Sequence, residues 1–415
     1  MKKKIFFVMI TVLLIFSTNV FASGSKESEM EKVVLTMGSW RADDVDAMNN
    51  LLDVYTSEVA PNVEIDFKPT NPADYNATLR LQLESGTGPD LMYARSYAPG
   101  IELYEAGFFA DCSDIEGLSN FTDSNKAPWM APDGKMFAVP FAAVSHAVYY
   151  NKDIFNKAGV EVPTTWEDFL VVCDKLQKMD ITPLANGLAD EWDILETFFL
   201  GALPNYIGGA SERVKYESGE LKLNNEKFIQ AFTAMKDVAQ YCPKGFESVT
   251  YNDSQALFAT GKAAMFIDGS WTVGTYGEAT FDWGVFAIPA PEGNKTAICF
   301  HPDMAITMNT KTEYPEEAKA FLSWLCTVEG ATTASKYLPA GFFPMINAPI
   351  EIELPQANEF LALNEGKETD ARFVWPLLLE LYTPMDQAVI RVMKGVITPT
   401  QAANELQKAY ENLDL

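Results

Sequence analysis

The residues that could carry covalent chemistry are few and poorly arranged for it. The 415-residue chain has two histidines, His146 and His301, which leave little for a metal or Ser–His mechanism. It contains no G-x-S-x-G, no H-E-x-x-H and no Walker-type glycine loop. Cys112, Cys173, Cys242, Cys299 and Cys326 are scattered, with no C-x-x-C and no zinc-like spacing. Tyr149-Tyr150 superficially resembles a metal pair, but successive strand residues face opposite sides and cannot share one ion. Among 57 acidic residues a spare carboxylate pair says nothing about glycoside hydrolysis, and the eight β–α units of the usual hydrolase barrel are not visible. No enzyme, metal site or cofactor is expected.

What remains is non-covalent recognition. Flat aromatic plates beside planar Arg, Asp and Asn groups suit a small ligand with apolar faces and a polar rim. The chain has eight tryptophans. Trp40 follows the first predicted strand and is flanked by Arg41. Trp271 closes the run Asp268-Gly269-Ser270-Trp271, Trp192 sits in Asp190-Glu191-Trp192-Asp193, and Trp375 follows Arg372. Loops at strand ends carry function, so these four rank above Trp129, Trp166, Trp283 and Trp324, which read as packing. Arg41, Arg95 and Arg372 could serve an anionic polyol or sugar acid. Asp190, Glu191 and Asp193 keep a polyamine open.

The elements that must position these groups are legible. At roughly 150 residues per domain the length predicts two or three domains. Val33–Met37 reads as a strand, and Val45, Met48, Leu51, Leu52 and Tyr55 as one helix face. Val63–Phe67 alternates as a strand, Asp74–Leu83 reads as a helix, Leu91–Tyr93 as a strand and Tyr97–Ala106 as a helix. This β-α-β-α-β order predicts a mostly parallel, helix-covered sheet. Further on, 128–140 is turn-rich and 147–150 is strand-like. Thr164 with Glu167 predicts a capping box opening a helix. Ala263–Asp268, Trp283–Ile288 and Met304–Met308 read as strands, and 315–328 as an amphipathic helix. Thr398 with Gln401 caps a last helix, with Pro399 in its first turn.

A net charge of −26 argues against nucleic acid and anionic lipid as partners. Lys2–Lys4, an apolar run over 5–16 and a small-residue end at Val20-Phe21-Ala22 form a secretory signal pattern, too short to span a membrane. Residues 1–22 are therefore expected to be removed, leaving a polar tether over 23–32. With the first cysteine at Cys112 no lipid anchor is expected, and retention of an unanchored chain points to a periplasm. Cys173 and Cys326 fall on apolar helix stripes as buried thiols, while the compartment would permit one or two disulfides.

Four segments together carry a resemblance. They are Leu81-Gln82-Leu83-Glu84-Ser85-Gly86-Thr87-Gly88-Pro89-Asp90-Leu91, Asp133-Gly134-Lys135-Met136-Phe137-Ala138-Val139-Pro140-Phe141, Tyr150-Asn151-Lys152-Asp153-Ile154-Phe155 continuing to Thr165-Trp166, and Phe258 to Trp271. In this order the chain resembles the carbohydrate-binding solute-binding proteins of ABC importers, the maltodextrin-binding branch. The resemblance implies a two-lobed α/β fold of the periplasmic binding protein type, type II-like. Each lobe would be a mostly parallel sheet flanked by helices, joined by crossings near Pro140, His301 and Gly341. The lobes would be 33–140 with 302–340, and 141–301 with 341–415. The implied function is capture of a mono- or oligosaccharide between the lobes by a monomer that delivers it to an inner-membrane permease. Implied contacts are Trp40, Arg41, Arg95, Ser96, His146, Trp192, Asp268, Trp271, Asp303, Phe342, Arg372 and Trp375. Two departures argue against a long α-glucan: the second crossing reads Cys299-Phe300-His301-Pro302-Asp303 rather than Gly-rich, and Ala142, Ala143 and Val144 stand where maltodextrin binders carry an acid.

Overall fold

The computed structural model describes residues 32–413. The signal segment, and all of the expected tether but Lys32, lie outside them. Among the described residues there are ten strands: β1 (Val33–Ser39), β2 (Val63–Pro69), β3 (Leu91–Ala94), β4 (Val139–Asn151), β5 (Thr182–Leu184), β6 (Ala263–Gly269), β7 (Trp283–Phe286), β8 (Ala297–Met308), β9 (Phe343–Pro344) and β10 (Glu368–Asp370). Among the described residues no helix is long and apolar enough to cross a membrane.

The strands run in the order β2-β1-β3-β8-β4-β6-β5, with β7 and β9 on β4 and β10 on β8. The pairs β1/β2, β1/β3, β5/β6 and β8/β10 are parallel, each reached through a helical connection. The antiparallel pairs come where β4 and β8 enter. The first half of β4 pairs β8, from Val139↔Ile306 to Ser145↔Phe300, while its second half pairs β6, from His146↔Gly269 to Tyr150↔Met265. β8 likewise pairs β3 at one end and β10 at the other. β8 and β4 therefore join the β2-β1-β3 end of this ten-stranded sheet to its β6-β5 end.

Helices cover the sheet on the faces their sequence dictates. Met48, Leu51 and Leu52 are the buried side of Val45–Val54. Thr398 and Gln401 form the expected reciprocal capping box of Pro399–Tyr410, with Pro399 at its start. The expected box at Thr164 is displaced by one residue. Thr165 is the cap, its hydroxyl accepting from Asp168 N at 3.1 Å, and Glu167 accepts from Glu292 N at 3.0 Å instead. One hydrophobic core gathers residues 33–144 with 304–346 and Trp271, another gathers 148–288 with 373–406, and a smaller third, around Tyr149, Phe258, Tyr276 and Phe360, lies alongside the second in sequence. All five cysteines are free and buried.

The 13-residue β4 departs from the turn-rich reading of its first residues. Pro140 sits inside it, opposite Ala305, and the register shifts between Pro140 and Ala142 and again between Ala142 and Ala143. A strand tolerates proline where the ladder is interrupted anyway.

Candidate functional site

A cavity of about 1070 Å³ opens between the two cores. Trp40, Tyr75 and Trp271 reach it from the first, Trp375 packs against the second, and Arg41, Arg95, Trp192 and Arg372 line it as well. Trp40 follows β1 and is wedged edge-on between Tyr75 and Tyr93, at 5.5 and 5.2 Å. The Arg95 guanidinium lies 3.8 Å over the Trp40 ring and 5.8 Å from that of Trp375. Burial lowers the Arg95 pKa, and its Nε has no hydrogen-bond partner. Two residues on, Tyr97 takes a positive φ of 59°, a strained backbone at the end of this loop.

Arg41 is committed to Asp44 through a bidentate pair, Nε to Oδ2 at 2.5 Å and Nη2 to Oδ1 at 2.8 Å. Its guanidinium stands 4.9 Å from the Phe342 ring. Arg372 donates to Glu196 Oε2 at 2.7 Å and lies 3.7 Å from Asp303. Burial opposes its charge, but Glu196 and Asp303 outweigh it and hold the pKa up. The guanidinium also faces Trp271 and Trp375, at 5.5 and 5.6 Å.

Trp271 is fixed from behind. Its indole N–H donates to Tyr251 Oη at 2.8 Å, and Tyr251 donates in turn to Asp268 Oδ2 at 2.8 Å. The ring folds back over Gly269, where any Cβ would overlap it, which explains the glycine two residues before the tryptophan. Tyr251 also packs on Trp192, centroids 3.8 Å apart.

Nine of the twelve expected contacts thus line the cavity: Trp40, Arg41, Arg95, Trp192, Trp271, Asp303, Phe342, Arg372 and Trp375. Ser96, His146 and Asp268 are not among its lining residues. Ser96 is buried in the loop after β3. Asp268 is fully buried behind Trp271, and burial raises its carboxyl pKa well above the usual range. Its role is to hold Tyr251 and Thr272. His146 lies beneath Trp271, edge-on at 5.4 Å. Burial and then Arg372 depress the pKa of His146, and push that of His301 down to about 3.

Sequence reasoning missed Tyr75, Glu196, Tyr251 and Tyr382, which also face the cavity. Glu196 gave a weak signal, one helical turn after Trp192. Tyr382 donates to Glu196 Oε1 at 2.8 Å. On the same helix, buried Asp386 is pushed up to about 7, by burial first and Glu191 second. An acid whose pKa is higher folded than unfolded keeps a proton that the unfolded chain has released, so raising pH from about 4 to about 7 favours unfolding. Asp386→Asn is expected to gain stability over the parent at about pH 8 and little at about pH 4. Urea denaturation at the two pH values reads the difference.

Two cores, strands shared between them and an aromatic, ion-lined cleft define a two-lobed solute-binding protein. The chain belongs to the bacterial extracellular solute-binding protein family, which it matches over residues 42–332. It is similar to the multiple sugar-binding protein of Streptococcus mutans serotype c, 24% identical over 88% of this chain and 86% of that one. The galactooligosaccharide-binding protein of Bacillus subtilis is 23% identical over 94% of this chain and 92% of its own. The solved structure of the bacterial solute receptor AcbH superposes with a TM-score of 0.81 at 20% identity, covering 92% of this chain and 99% of that one.

Proposed function

We propose that the chain captures a sugar, mono- or oligosaccharide, in this cleft and presents it to the permease of an inner-membrane ABC importer. In this reading it works as an unanchored periplasmic monomer and performs no covalent chemistry. The lobes are 33–140 with 302–340, and 141–301 with 341–415; the cores support the division broadly, the first running a few residues past it, to Val144 and Ile346, and taking in Trp271. The observation that carries the reading is the convergence of Trp40, Trp271, Trp192 and Trp375 with Arg95, Arg372 and Asp303 on one cavity. Indole faces suit the apolar faces of a pyranose, and planar charged groups suit its hydroxyl rim. A cavity of about 1070 Å³ is at the top of the range for ligand pockets, room for more than one ring. The names of the Streptococcus and Bacillus relatives support a sugar. Groups from both sides then meet the ligand together only when the lobes close.

Calorimetric titration of the mature protein against mono- and oligosaccharides, sugar acids and polyamines tests this. Trp271→Ala is expected to weaken the binding of the active sugar by about 2 kcal/mol or more, roughly 30-fold. A panel with no binding sugar, or release of new reducing ends from an oligosaccharide, would overturn it. One observation favours a second reading. The buried Nε atoms of Arg95 and Arg372 lack partners, which suits a sugar acid or charged polyol, and heats only with those anions would establish it.

A further inference from the structure

Beneath the cleft, His146 meets two side chains from a distant part of the sequence. His146 on β4, and Cys299 and His301 on β8, bring one nitrogen or sulfur each to within 4.8 Å of one another, all buried. The hydrogen-bond pattern of the two imidazoles is one proton short. His146 Nδ1 faces the Thr197 carbonyl oxygen at 3.2 Å, and His301 Nδ1 faces the Pro302 carbonyl oxygen at 3.0 Å. Carbonyl oxygens only accept, so each ring needs its hydrogen on Nδ1. Both Nε2 atoms then present lone pairs to each other across 3.4 Å. Three contacts require three hydrogens, and two neutral rings hold two. A third would make one ring an imidazolium, for which no carboxylate is hydrogen-bonded to either ring.

A metal ion resolves the shortage. Histidine ligands characteristically donate Nδ1–H to a backbone carbonyl while Nε2 binds the metal, the arrangement of both rings here. With Zn–N bonds of about 2.0–2.1 Å, imidazole nitrogens on adjacent corners of a tetrahedron stand about 3.4 Å apart. The two Nε2 atoms already have that spacing. We propose that His146, Cys299 and His301 form a binding site for a thiophilic d10 cation, Zn²⁺ or Cu⁺, that ties β4 to β8. Cys299 Sγ, within 4.8 Å of a nitrogen of each imidazole, closes to a bond of about 2.3 Å and binds as thiolate, so the S–H bond is exchanged for S–metal and the proton leaves to solvent. The thiolate supplies the negative charge that the cation needs beside Arg372, itself held by Glu196 and Asp303. Such an ion joins the two strands at the centre of the sheet, beneath Trp271. This site is independent of the ligand assigned to the cleft.

The chain's two histidines are both in the cluster, so tag-free protein offers no other imidazole. Metal-free mature protein titrated with Co²⁺ is expected to show a thiolate-to-cobalt charge-transfer band and visible ligand-field bands that saturate at one equivalent. Zn²⁺ should displace the cobalt and raise the melting temperature by mass action, while anaerobic competition against a chromogenic chelator measures Cu⁺. The charge-transfer band should vanish in Cys299→Ser, and affinity should fall at least 10-fold in His301→Asn, with folding checked by circular dichroism. Absence of cobalt bands together with no uptake of Zn²⁺ or Cu⁺ by the parent protein would overturn the site, whether or not the variants fold. So would a charge-transfer band that persists in folded Cys299→Ser.

Discussion

Glu196→Ala should lower the stability of the ligand-free protein by about 3–5 kcal/mol. The Arg372 side chain is 6% exposed and its one close carboxylate is Glu196, at 2.7 Å. Asp303, at 3.7 Å, is too distant to take the whole load. Removing Glu196 leaves a buried guanidinium without its partner and strips Tyr382 of its acceptor, which costs far more than the net worth of the pair. Urea denaturation reads the loss as a lower midpoint at unchanged slope. The double variant Glu196→Leu with Arg372→Met should recover most of the stability, since apolar groups of similar size replace a buried pair at little cost. It should not recover ligand binding. Recovery of both would show that Arg372 has no part in the cleft.

Gly341→Ala should be nearly as damaging, at about 3 kcal/mol. Gly341 has an ordinary φ, so the reason is space. A Cβ there would fall inside the carbonyl group of Ser270. The neighbouring atoms cannot yield cheaply: Ser270 Oγ donates to Gly341 O at 2.5 Å and accepts from Ser145 N at 3.0 Å. Three segments are pinned at this junction, and Trp271 follows directly. The substitution should therefore also weaken ligand binding by displacing the indole. Gly274→Ala is the control, because its Cβ would meet Pro339 at an ordinary 3.6 Å. Equal midpoints for the two variants would refute the argument.

Much of this was legible in the sequence because local rules govern it. The strand–helix order over 33–105, the cap at Thr398 and the tryptophans after β1 and β6 follow from periodicity and turn chemistry acting over a few residues. Glu196 was not legible, because nothing local separates the acid that meets Arg372 from 56 others. Tyr251 reads as one more core aromatic until the fold sets it between Asp268 and Trp271. Pro140 misled for a definite reason: it reads as a break, and only the shifted register against β8 shows how a strand accommodates it. The His–Cys cluster was hidden because Cys299-Phe300-His301 alone is no metal signature, and the third member, His146, is 155 residues from His301 in sequence. Asp268 drew attention as a polar group beside a tryptophan, yet complete burial makes it a support.

The strand order also bears on when this protein can fold. β8 lies between β3 and β4, yet it begins at Ala297, long after β4 has ended at Asn151. Until Met308 has left the ribosome the sheet has a gap at its centre, and the second core still awaits the helices Tyr382–Met393 and Pro399–Tyr410. Closing such distant contacts is slow. For a secreted protein that slowness is useful: the first core lacks its last residues until Ile346 is made and the second until Leu406, so the chain stays threadable for most of its synthesis.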